Sequence, residues 1–218
     1  MIRQRAIQAE AKQERHHAIL DAAERLLMRS PERVANVAEV ADEAGLAKGT
    51  VYLYFPSKEE LLLAIHERNI DGFFAALSKR LEASAPVAIE TVLELMHRHI
   101  VEPPLFLPLA ARCFGMMGQG VPPPSALAFK QRMADRLQLA GAGLEHHFPD
   151  LAEGDGVALL RHSYALIIGL WQMSGESAGG CAVDAGASVQ AIHDWKYADE
   201  LDRALRALWR GTVGRVTQ

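Results

Sequence analysis

The chain has 218 residues, half of them hydrophobic, and a formal net charge of −4 at pH 7. That length suits one large domain or two small ones, and the hydrophobic content is enough for a sizeable core. The negative balance excludes a broadly basic nucleic-acid-binding chain, so any affinity for DNA has to come from a local patch.

The cysteine usage and the apolar runs indicate a cytoplasmic protein. Cys113 and Cys181 lie far apart in sequence, which fits a reducing compartment better than a disulfide scaffold. The first ten residues contain no apolar signal core, and the longest apolar run, residues 164–171, is too short to span a bilayer. We therefore expect no association with a membrane.

The chain begins with a mildly basic stretch and continues into a helical pattern. We expect the beginning to be a solvated, frayed end, although such an arm can also contact phosphate. Residues 13–29 carry an apolar stripe at helical spacing and are followed by Pro31, which ends the helix. We predict that this helix packs across the next two and completes a three-helix head. The basic residues of the first stretch are Arg3, Arg5, Lys12 and Arg15.

Residues 36–45 predict a short helix with a defined start and stop. Asn36 is a good N-cap, and Glu39, three residues later, can reach back to the amide of the cap in a capping box. The helix, residues 37–44, ends at Gly45, because glycine takes the left-handed backbone of a helix end at low cost.

A second short helix is predicted over residues 47–54. Its inner face is Val51 and Phe55, and Ser57 with Glu60 forms a second capping box that starts the next helix. Two helices joined by a short glycine turn have the helix-turn-helix geometry, and a donor-rich second helix suits a major groove. The outer face of that helix offers Lys48, Thr50, Tyr52 and Tyr54.

The run AGLAKGTVYLYFPSKEEL, residues 44–61, closely resembles the DNA-binding signature of TetR-type transcriptional regulators. The resemblance extends over residues 15–64, and it is specific because the glycine turn, the KGTxYxYF run and the SKEEL cap occur together in order. It implies a helix-turn-helix DNA-binding domain, residues 1–60, followed by a helical ligand-binding and dimerisation domain, residues 61–218.

Polar residues around the second helix are the predicted DNA contacts. Thr50 can hydrogen-bond a base edge or place its methyl on a thymine methyl, and Gly49 allows close backbone approach. Lys48, Tyr54 and Lys58 are expected to hold phosphates, which position the protein without specifying sequence. The resemblance carries over these roles, and a merely solvated helix face is the alternative. The full predicted set is Asn36, Lys48, Gly49, Thr50, Tyr52, Tyr54 and Lys58.

Two positions depart from the TetR-type pattern. Ala38 stands where many members carry a polar residue able to reach a base, which narrows direct readout. Ala47 stands where a serine cap is common, which weakens the start of the second helix by about 1 kcal/mol.

The rest of the chain predicts further helices and no convincing strand, so the expected fold is all-α. A long helix over residues 57–81 joins the head to the remainder. A Gly/Ala/Ser-rich stretch, residues 175–194, is expected to be a long mobile loop. The other predicted helices cover residues 87–101, 105–117, 125–147, 156–174 and 196–209, with Gly211 closing the last.

Neither a metal site nor a catalytic site is predicted. The adjacent histidine pairs diverge on a helix, and His97 and His99 lie about 200° apart, so they cannot face one ion together. No cysteine stands at ligand spacing from a histidine. We also find no nucleophile–base spacing and no phosphate loop, and we expect neither enzymatic activity nor a cofactor.

Apolar residues of the second half suggest a cavity for a small ligand between helices. Methionine and aromatic side chains together suit an apolar ligand of variable shape, and His162 can add a polar handle. The alternative is that these side chains are simply core. The candidates are Phe106, Phe114, Met117, His162, Tyr164 and Trp171.

The last two helices carry more apolar surface than one chain is expected to bury. In TetR-type proteins the corresponding helices form the dimer interface, and Ala158, Ala165 and Gly169 are small enough for close helix approach. Packing within one chain is the alternative.

These observations favour a dimeric, ligand-responsive repressor. Its two heads would read a palindromic operator with half-sites about 34–36 Å apart. A small, largely apolar effector would favour a spacing of the heads that no longer matches successive grooves. Two alternatives remain: a DNA-binding regulator without small-molecule control, and a helical small-molecule carrier with an idle DNA-binding head.

Overall fold

The computed structural model describes residues 2–30, 33–117, 120–174 and 195–214, and of residues 2–9 and 114 it describes the backbone only. The described chain is all-α, as expected, with nine α-helices and no strand. The helices are α1 (Ile2–Arg29), α2 (Val37–Ala44), α3 (Lys48–Tyr54), α4 (Lys58–Leu81), α5 (Ile89–Met96), α6 (Phe106–Met116), α7 (Pro123–His147), α8 (Asp155–Met173) and α9 (Tyr197–Val213).

Two predictions about helix bounds were wrong, and a third predicted helix ends in a π-helical turn. The helix α1 begins at Ile2, so the stretch expected to be frayed is helical. The helix α9 runs through Gly211 and ends at Val213, because an exposed helical glycine need not stop a helix. The predicted helix over residues 87–101 changes at Met96 into a π-helical turn, His97–Val101.

The π-helical turn lies immediately before two prolines. The amide of Glu102 donates to the carbonyl of His97 at 2.9 Å, five residues back instead of four. Pro103 and Pro104 have no amide hydrogen, so the ordinary helical ladder cannot continue past Glu102. The loop predicted over residues 175–194 lies outside the described residues.

The chain forms two compact units. The first comprises Met1–Arg68 and Arg112–Ala126, and the second comprises Asn69–Ala111 and Leu127–Gln218. Three helices, α4, α6 and α7, contribute residues to both units. Within the described residues no helix is long and apolar enough to cross a membrane.

The predicted three-helix head is confirmed in the first unit, where α1 packs against α2 and α2 against α3. Ala41 is 1% exposed, and its small side chain lets α1 and α2 approach closely. Apolar side chains from the first turns of α4 are buried as well. The buried set of the head includes Ile19, Ala22, Ala23, Leu27, Val37, Val40, Ala41, Val51, Phe55, Leu61, Leu62 and Ile65.

Arginine–carboxylate pairs link the helices of the head. Glu43 of α2 accepts hydrogen bonds from Arg25, at 2.8 Å, and from Arg29, both on α1. These bonds hold the pKa of the Glu43 carboxyl below its usual range. Arg68 of α4 pairs with Asp21 and Glu24 of α1 at 2.6 Å each. Each exposed pair adds little stability by itself, and together they set the register of the helices.

In the second unit, two buried hydrogen bonds join α9 to α8. The indole nitrogen of Trp209 donates to the hydroxyl of Ser163 at 2.9 Å, and both side chains are fully buried. The hydroxyl of Tyr197 donates to the carbonyl of Ile167 at 3.1 Å. Because an unmade buried hydrogen bond costs about 1–3 kcal/mol, these two bonds fix the register of the two helices.

The helices α7 and α8 approach closely at two glycines, Gly141 of α7 and Gly156 of α8. A Cβ at Gly156 would lie 2.2 Å from the carbonyl oxygen of Gly141, so any side chain there forces the backbones apart. One turn further along α7, Glu145 accepts the amides of Gly154 and Gly156 at 2.9 Å each. This carboxylate satisfies free amides at the start of α8, where negative charge is favoured.

We expect Gly156→Ala to destabilise the protein by about 3 kcal/mol, because the new methyl overlaps backbone that cannot swing aside. Gly72→Ala is the matched control, since Gly72 is an exposed position inside α4 whose added Cβ meets only ordinary contact, 3.5 Å from His99. It should stabilise by about 0.5–1 kcal/mol. Urea unfolding measures both, and equal effects would contradict the proposed backbone contact.

Burial of His66 makes stability depend on pH. The ring, on α4, is 4% exposed, and burial lowers its pKa to about 4 from an ordinary value of 6.5. The unfolded chain therefore binds a proton at His66 at a higher pH than the folded chain does. Its contribution to stability is complete above pH 6.5 and is lost as the pH falls from 6.5 towards 4.

Between pH 7.5 and pH 5 we expect the free energy of unfolding to fall by about 2 kcal/mol on account of His66. His66→Gln should remove most of this slope, whatever it does to stability at pH 7.5. The exposed His17 of α1 provides the control, and His17→Gln should keep the slope. Urea titrations at several pH values measure it, and an unchanged slope in His66→Gln would show that other groups carry it.

Candidate nucleic-acid interface

The start of α2 is closed by the predicted capping box. The side-chain oxygen of Asn36 accepts the amides of Ala38, at 2.9 Å, and Glu39, at 3.1 Å, and Glu39 accepts the amide of Asn36 at 2.8 Å. Arg33 also pairs with Glu39, at 2.7 Å. The hydrogen bond from Arg33 is the main cause that holds the pKa of the Glu39 carboxyl below its usual range. The bond from the Asn36 amide lowers this pKa further. The box thus fixes where α2 begins.

The turn between α2 and α3 is the predicted glycine turn. Gly45 has φ 66° and ψ 31°, the left-handed conformation that a side chain would strain. The amide of Leu46 donates to the carbonyl of Ala41 at 2.9 Å, and that of Gly45 to Asp42 at 3.2 Å. These bonds close the end of α2, so the direction in which α3 leaves is set locally.

The inner face of α3 is the predicted one. Val51 is fully buried and Phe55 is 4% exposed. Ala47 occupies the N-cap position with extended backbone and makes no side-chain cap bond. A helix of seven residues is not stable alone, so packing of Val51 and Phe55 holds α3 in place.

The second capping box, at the start of α4, forms in one direction only. The hydroxyl of Ser57 accepts the amide of Glu60 at 3.1 Å, as predicted. The carboxylate of Glu60 does not return to the backbone of Ser57; it accepts hydroxyl hydrogen bonds from Ser57, at 3.3 Å, and from Ser125. Ser125 thereby ties the beginning of α7 to the beginning of α4, both within the first unit.

The predicted contact residues of α3 divide into two flanks. Lys48 and Tyr52 are exposed on one flank, where the lysine nitrogen lies 5.8 Å from the centroid of the tyrosine ring, a cation–π arrangement. Thr50 and Tyr54, both half-buried, lie on the other flank. Gly49 is exposed between them, and no atom lies within 4 Å of where its Cβ would be.

Lys58 and Asn36, the two predicted contacts outside α3, are both exposed. The ammonium group of Lys58 lies 3.8 Å from the carboxylate of Glu59, a loose pair that leaves its hydrogens available to phosphate. Asn36 uses its side-chain oxygen for the cap, so only its amide NH2 group is left to donate to DNA.

Two residues that the sequence pattern did not assign to this surface belong to it. The ring of His16 on α1 lies 5.0 Å from that of Phe55 and 6.4 Å from that of Tyr54, between centroids. Burial is the main cause that lowers the pKa of His16, and the nearby positive charges of His17 and Arg68 lower it further. Leu53 is 85% exposed, and its position two residues after the buried Val51 was the signal that could have revealed it.

The predicted ligand residues are only partly brought together. Phe106 is fully buried, with its ring centroid 6.4 Å from that of Tyr164, and Trp171 is 9% exposed in the same unit. His162 is exposed, and Met117, half-buried, belongs to the first unit. The side chain of Phe114 lies outside the described residues.

A surface cleft of about 480 Å³ lies in the second unit, away from all of these candidates. The described residues contain no group of three histidine, cysteine or carboxylate side chains placed to hold a metal ion. Burial raises the pKa of the Cys113 thiol to about 12, which makes it a poor nucleophile. The cleft is lined by Leu81, Glu82, Ala83, Ser84, Pro86, His146, His147 and Pro149.

Ala47→Ser should stabilise the head by about 1 kcal/mol, because a serine hydroxyl at this extended N-cap position can accept a free amide of α3. Ala75→Ser is the matched control, since it adds the same hydroxyl at an exposed position inside α4. The backbone amides there already donate within the helix. Urea unfolding compares the two, and a control that stabilises as much would refute the capping explanation.

Comparison with known families gives two matches that together cover most of the chain. The family described as "Bacterial regulatory proteins, tetR family" matches residues 19–65, and "Tetracyclin repressor-like, C-terminal domain" matches residues 67–215.

Individual relatives match about a third of this chain. The Fatty acid metabolism regulator protein of Bacillus subtilis is 28% identical over 74 residues, 34% of this chain and 38% of that protein. The HTH-type transcriptional regulator EthR of Mycobacterium tuberculosis is 39% identical over 72 residues, 33% of each chain. The match thus spans well under half the length of these relatives.

A solved structure shares the fold over nearly the whole length. It is a TetR-family transcriptional regulator from Streptomyces coelicolor, with a TM-score of 0.56 and 23% identity, and the superposition covers 91% of this chain and 99% of that one.

Proposed function

The chain belongs to the TetR family of bacterial regulatory proteins, and on this premise we propose that it is a dimeric, sequence-specific DNA-binding regulator of transcription, acting as a repressor. Residues 1–60 would bind DNA, and residues 61–218 would bind a ligand and form the dimer. A family of regulators, not of enzymes, is in keeping with a sequence in which we found no catalytic constellation.

The outward face of α3 carries the proposal. Its cation, hydroxyls and aromatic rings are exposed or half-buried, while its opposite face, at Val51, is fully buried. The capping box and the glycine turn present this face in one orientation. A helix held in this way, with donors on both flanks, suits insertion into a major groove about 12 Å wide.

The individual residues suggest a division of roles. Lys48, Tyr54 and Lys58 would hold phosphates, and Thr50 would contact a base edge. Tyr52, with its ring beneath the Lys48 ammonium, would pack against sugars or bases while its hydroxyl reaches a phosphate.

The dimer is proposed to form through the outer faces of α8 and α9. The small residues Ala158, Ala165 and Gly169 follow each other at helical spacing on α8, and all three remain at least partly exposed in the single chain. No atom lies within 4 Å of a Cβ at Gly169, so a second helix has room to approach. Two heads on a two-fold axis would read a palindromic operator.

Release by a small, largely apolar effector is the proposed means of control. The pair Phe106 and Tyr164, with Trp171, supplies apolar and aromatic surface in the second unit. An effector that binds the DNA-free state more tightly would shift the equilibrium by that difference, commonly about 1–3 kcal/mol. None of these residues lines the cleft of about 480 Å³, and a regulator without small-molecule control is the second candidate.

Selection of bound duplexes from a random DNA library, by the purified chain at physiological salt, tests the proposal. A recovered palindrome would support a dimeric operator reader and would supply the operator DNA on which variants can be compared. No enrichment from folded, dimeric protein would refute sequence-specific binding by the free protein. Loss of the complex on adding apolar compounds would then separate the two modes of control.

Lys58→Ala should weaken binding to every DNA sequence by a similar factor, because a lysine–phosphate interaction carries no sequence information. The slope of log affinity against log salt should become shallower by about 0.9 for each phosphate that is no longer neutralised. Lys79→Ala is the matched control, since it removes the same charge from an exposed position near the far end of α4. Fluorescence anisotropy at four salt concentrations measures the slopes, and identical slopes for both variants would exclude the Lys58 interaction.

Thr50→Ala should relax base preference at one position of each half-site, while binding to random DNA stays within about twofold of wild type. The side chain is half-buried at the edge of α3, so its removal affects DNA recognition more than the fold. Repeating the library selection with the variant reveals the position. Equal losses on operator and random DNA would rule out Thr50 as a reader.

A further inference from the structure

We infer that Leu53 is an apolar reader of thymine, a specificity contact that rests on the proposed DNA-binding function and deepens it. With about 100° between successive residues, Leu53 lies about 200° from Val51 around α3. Val51 is fully buried, so Leu53 points almost directly away from the core. At 85% exposed, it is the most exposed large hydrophobic side chain among the described residues.

Leu53 shares the outermost ridge of α3 with Gly49. The two residues are four positions apart and therefore on the same face of the helix. Gly49 has no side chain, and nothing lies within 4 Å of where its Cβ would be. Since helical side chains tilt towards the N-terminus, the leucine leans over this bare stretch of backbone. Its isobutyl group therefore forms the crest of the ridge.

The flanks of the ridge are polar. Lys48 and Tyr52 lie on one side and Thr50 and Tyr54 on the other. Lys48 and Tyr54, one on each side, are the proposed contacts to the sugar–phosphate walls of the groove. If the flanks reach the walls, the crest faces the base edges at the floor. The position of Leu53 thus assigns it to bases.

The chemistry of the groove floor determines which base Leu53 favours. The C5-methyl of thymine is the apolar group displayed in the major groove, whereas the other base edges present hydrogen-bond donors and acceptors. An isobutyl group placed against those edges would remove water from them without replacing its hydrogen bonds. Leu53 therefore attracts a thymine and disfavours other bases at the same position.

The test uses thymine-to-deoxyuridine substitutions in the operator recovered by selection. Each substitution removes one C5-methyl and keeps base pairing. For the wild-type protein we expect one substitution in each half-site to weaken binding by about fourfold, the effect of leaving one methyl group unburied. Leu53→Ala should bind thymine and deoxyuridine operators equally at that position, and Leu53→Met, which keeps an apolar side chain, should retain the discrimination.

Leu139→Ala is the matched control, because it removes the same isobutyl group from an exposed position of α7. It should leave the methyl-sensitive position unchanged. Thr50→Ser, which removes the methyl of Thr50 and keeps its hydroxyl, tests the other candidate reader. If sensitivity disappears in Thr50→Ser and persists in Leu53→Ala, Thr50 is the reader and the inference is wrong. Operator binding that no deoxyuridine substitution weakens also overturns it, while leaving the proposed function intact. Failure of wild-type protein to select any DNA sequence would overturn the proposed function itself, and this inference with it.

Discussion

Burial of Val51 is the constraint on which the proposed DNA surface depends. The helix α3 has only seven residues and lacks a side-chain cap at Ala47, so its own hydrogen bonds cannot keep it folded. Packing of Val51 and Phe55 against the head supplies what is missing. Because helical geometry relates the two faces rigidly, burying Val51 also determines that Gly49 and Leu53 face outward.

Ion pairs within the head bear on how a negatively charged chain can bind negatively charged DNA. The chain carries a net charge of −4, yet two carboxylates of α2 are paired with arginines of the head itself. Glu43 accepts from Arg25 and Arg29, and Glu39 from Arg33. Exposed pairs of this kind contribute little stability. Their consequence for function is that these arginines offset acidic charge within the unit that presents Lys48 and Lys58 to the proposed DNA.

The local elements of the head could be predicted from sequence because each depends on neighbours within about one turn. The Asn36–Glu39 capping box, the left-handed Gly45 and the bounds of α2 all follow from residues close in the chain. The same holds for Val51, whose burial follows from helical spacing. Contacts between residues distant in sequence could not be predicted in this way. They include the contacts of His16 with Tyr54 and Phe55 and the bond of Ser125 to Glu60.

By itself, then, the sequence determined the all-α class, the helix-turn-helix and most residues of its outward face, since caps, glycine turns and 3.6-residue periodicity are written locally. Tertiary structure alone decided how the helices of the second unit meet. The contact of Gly156 with Gly141 and the Trp209–Ser163 bond join residues far apart in the chain, and no local pattern encodes which distant helix a given face will contact. The same reason separates Phe106 and Trp171, which are buried, and Tyr164, which is half-buried, from the exposed His162. Periodicity marks an apolar face, but only packing decides what covers it.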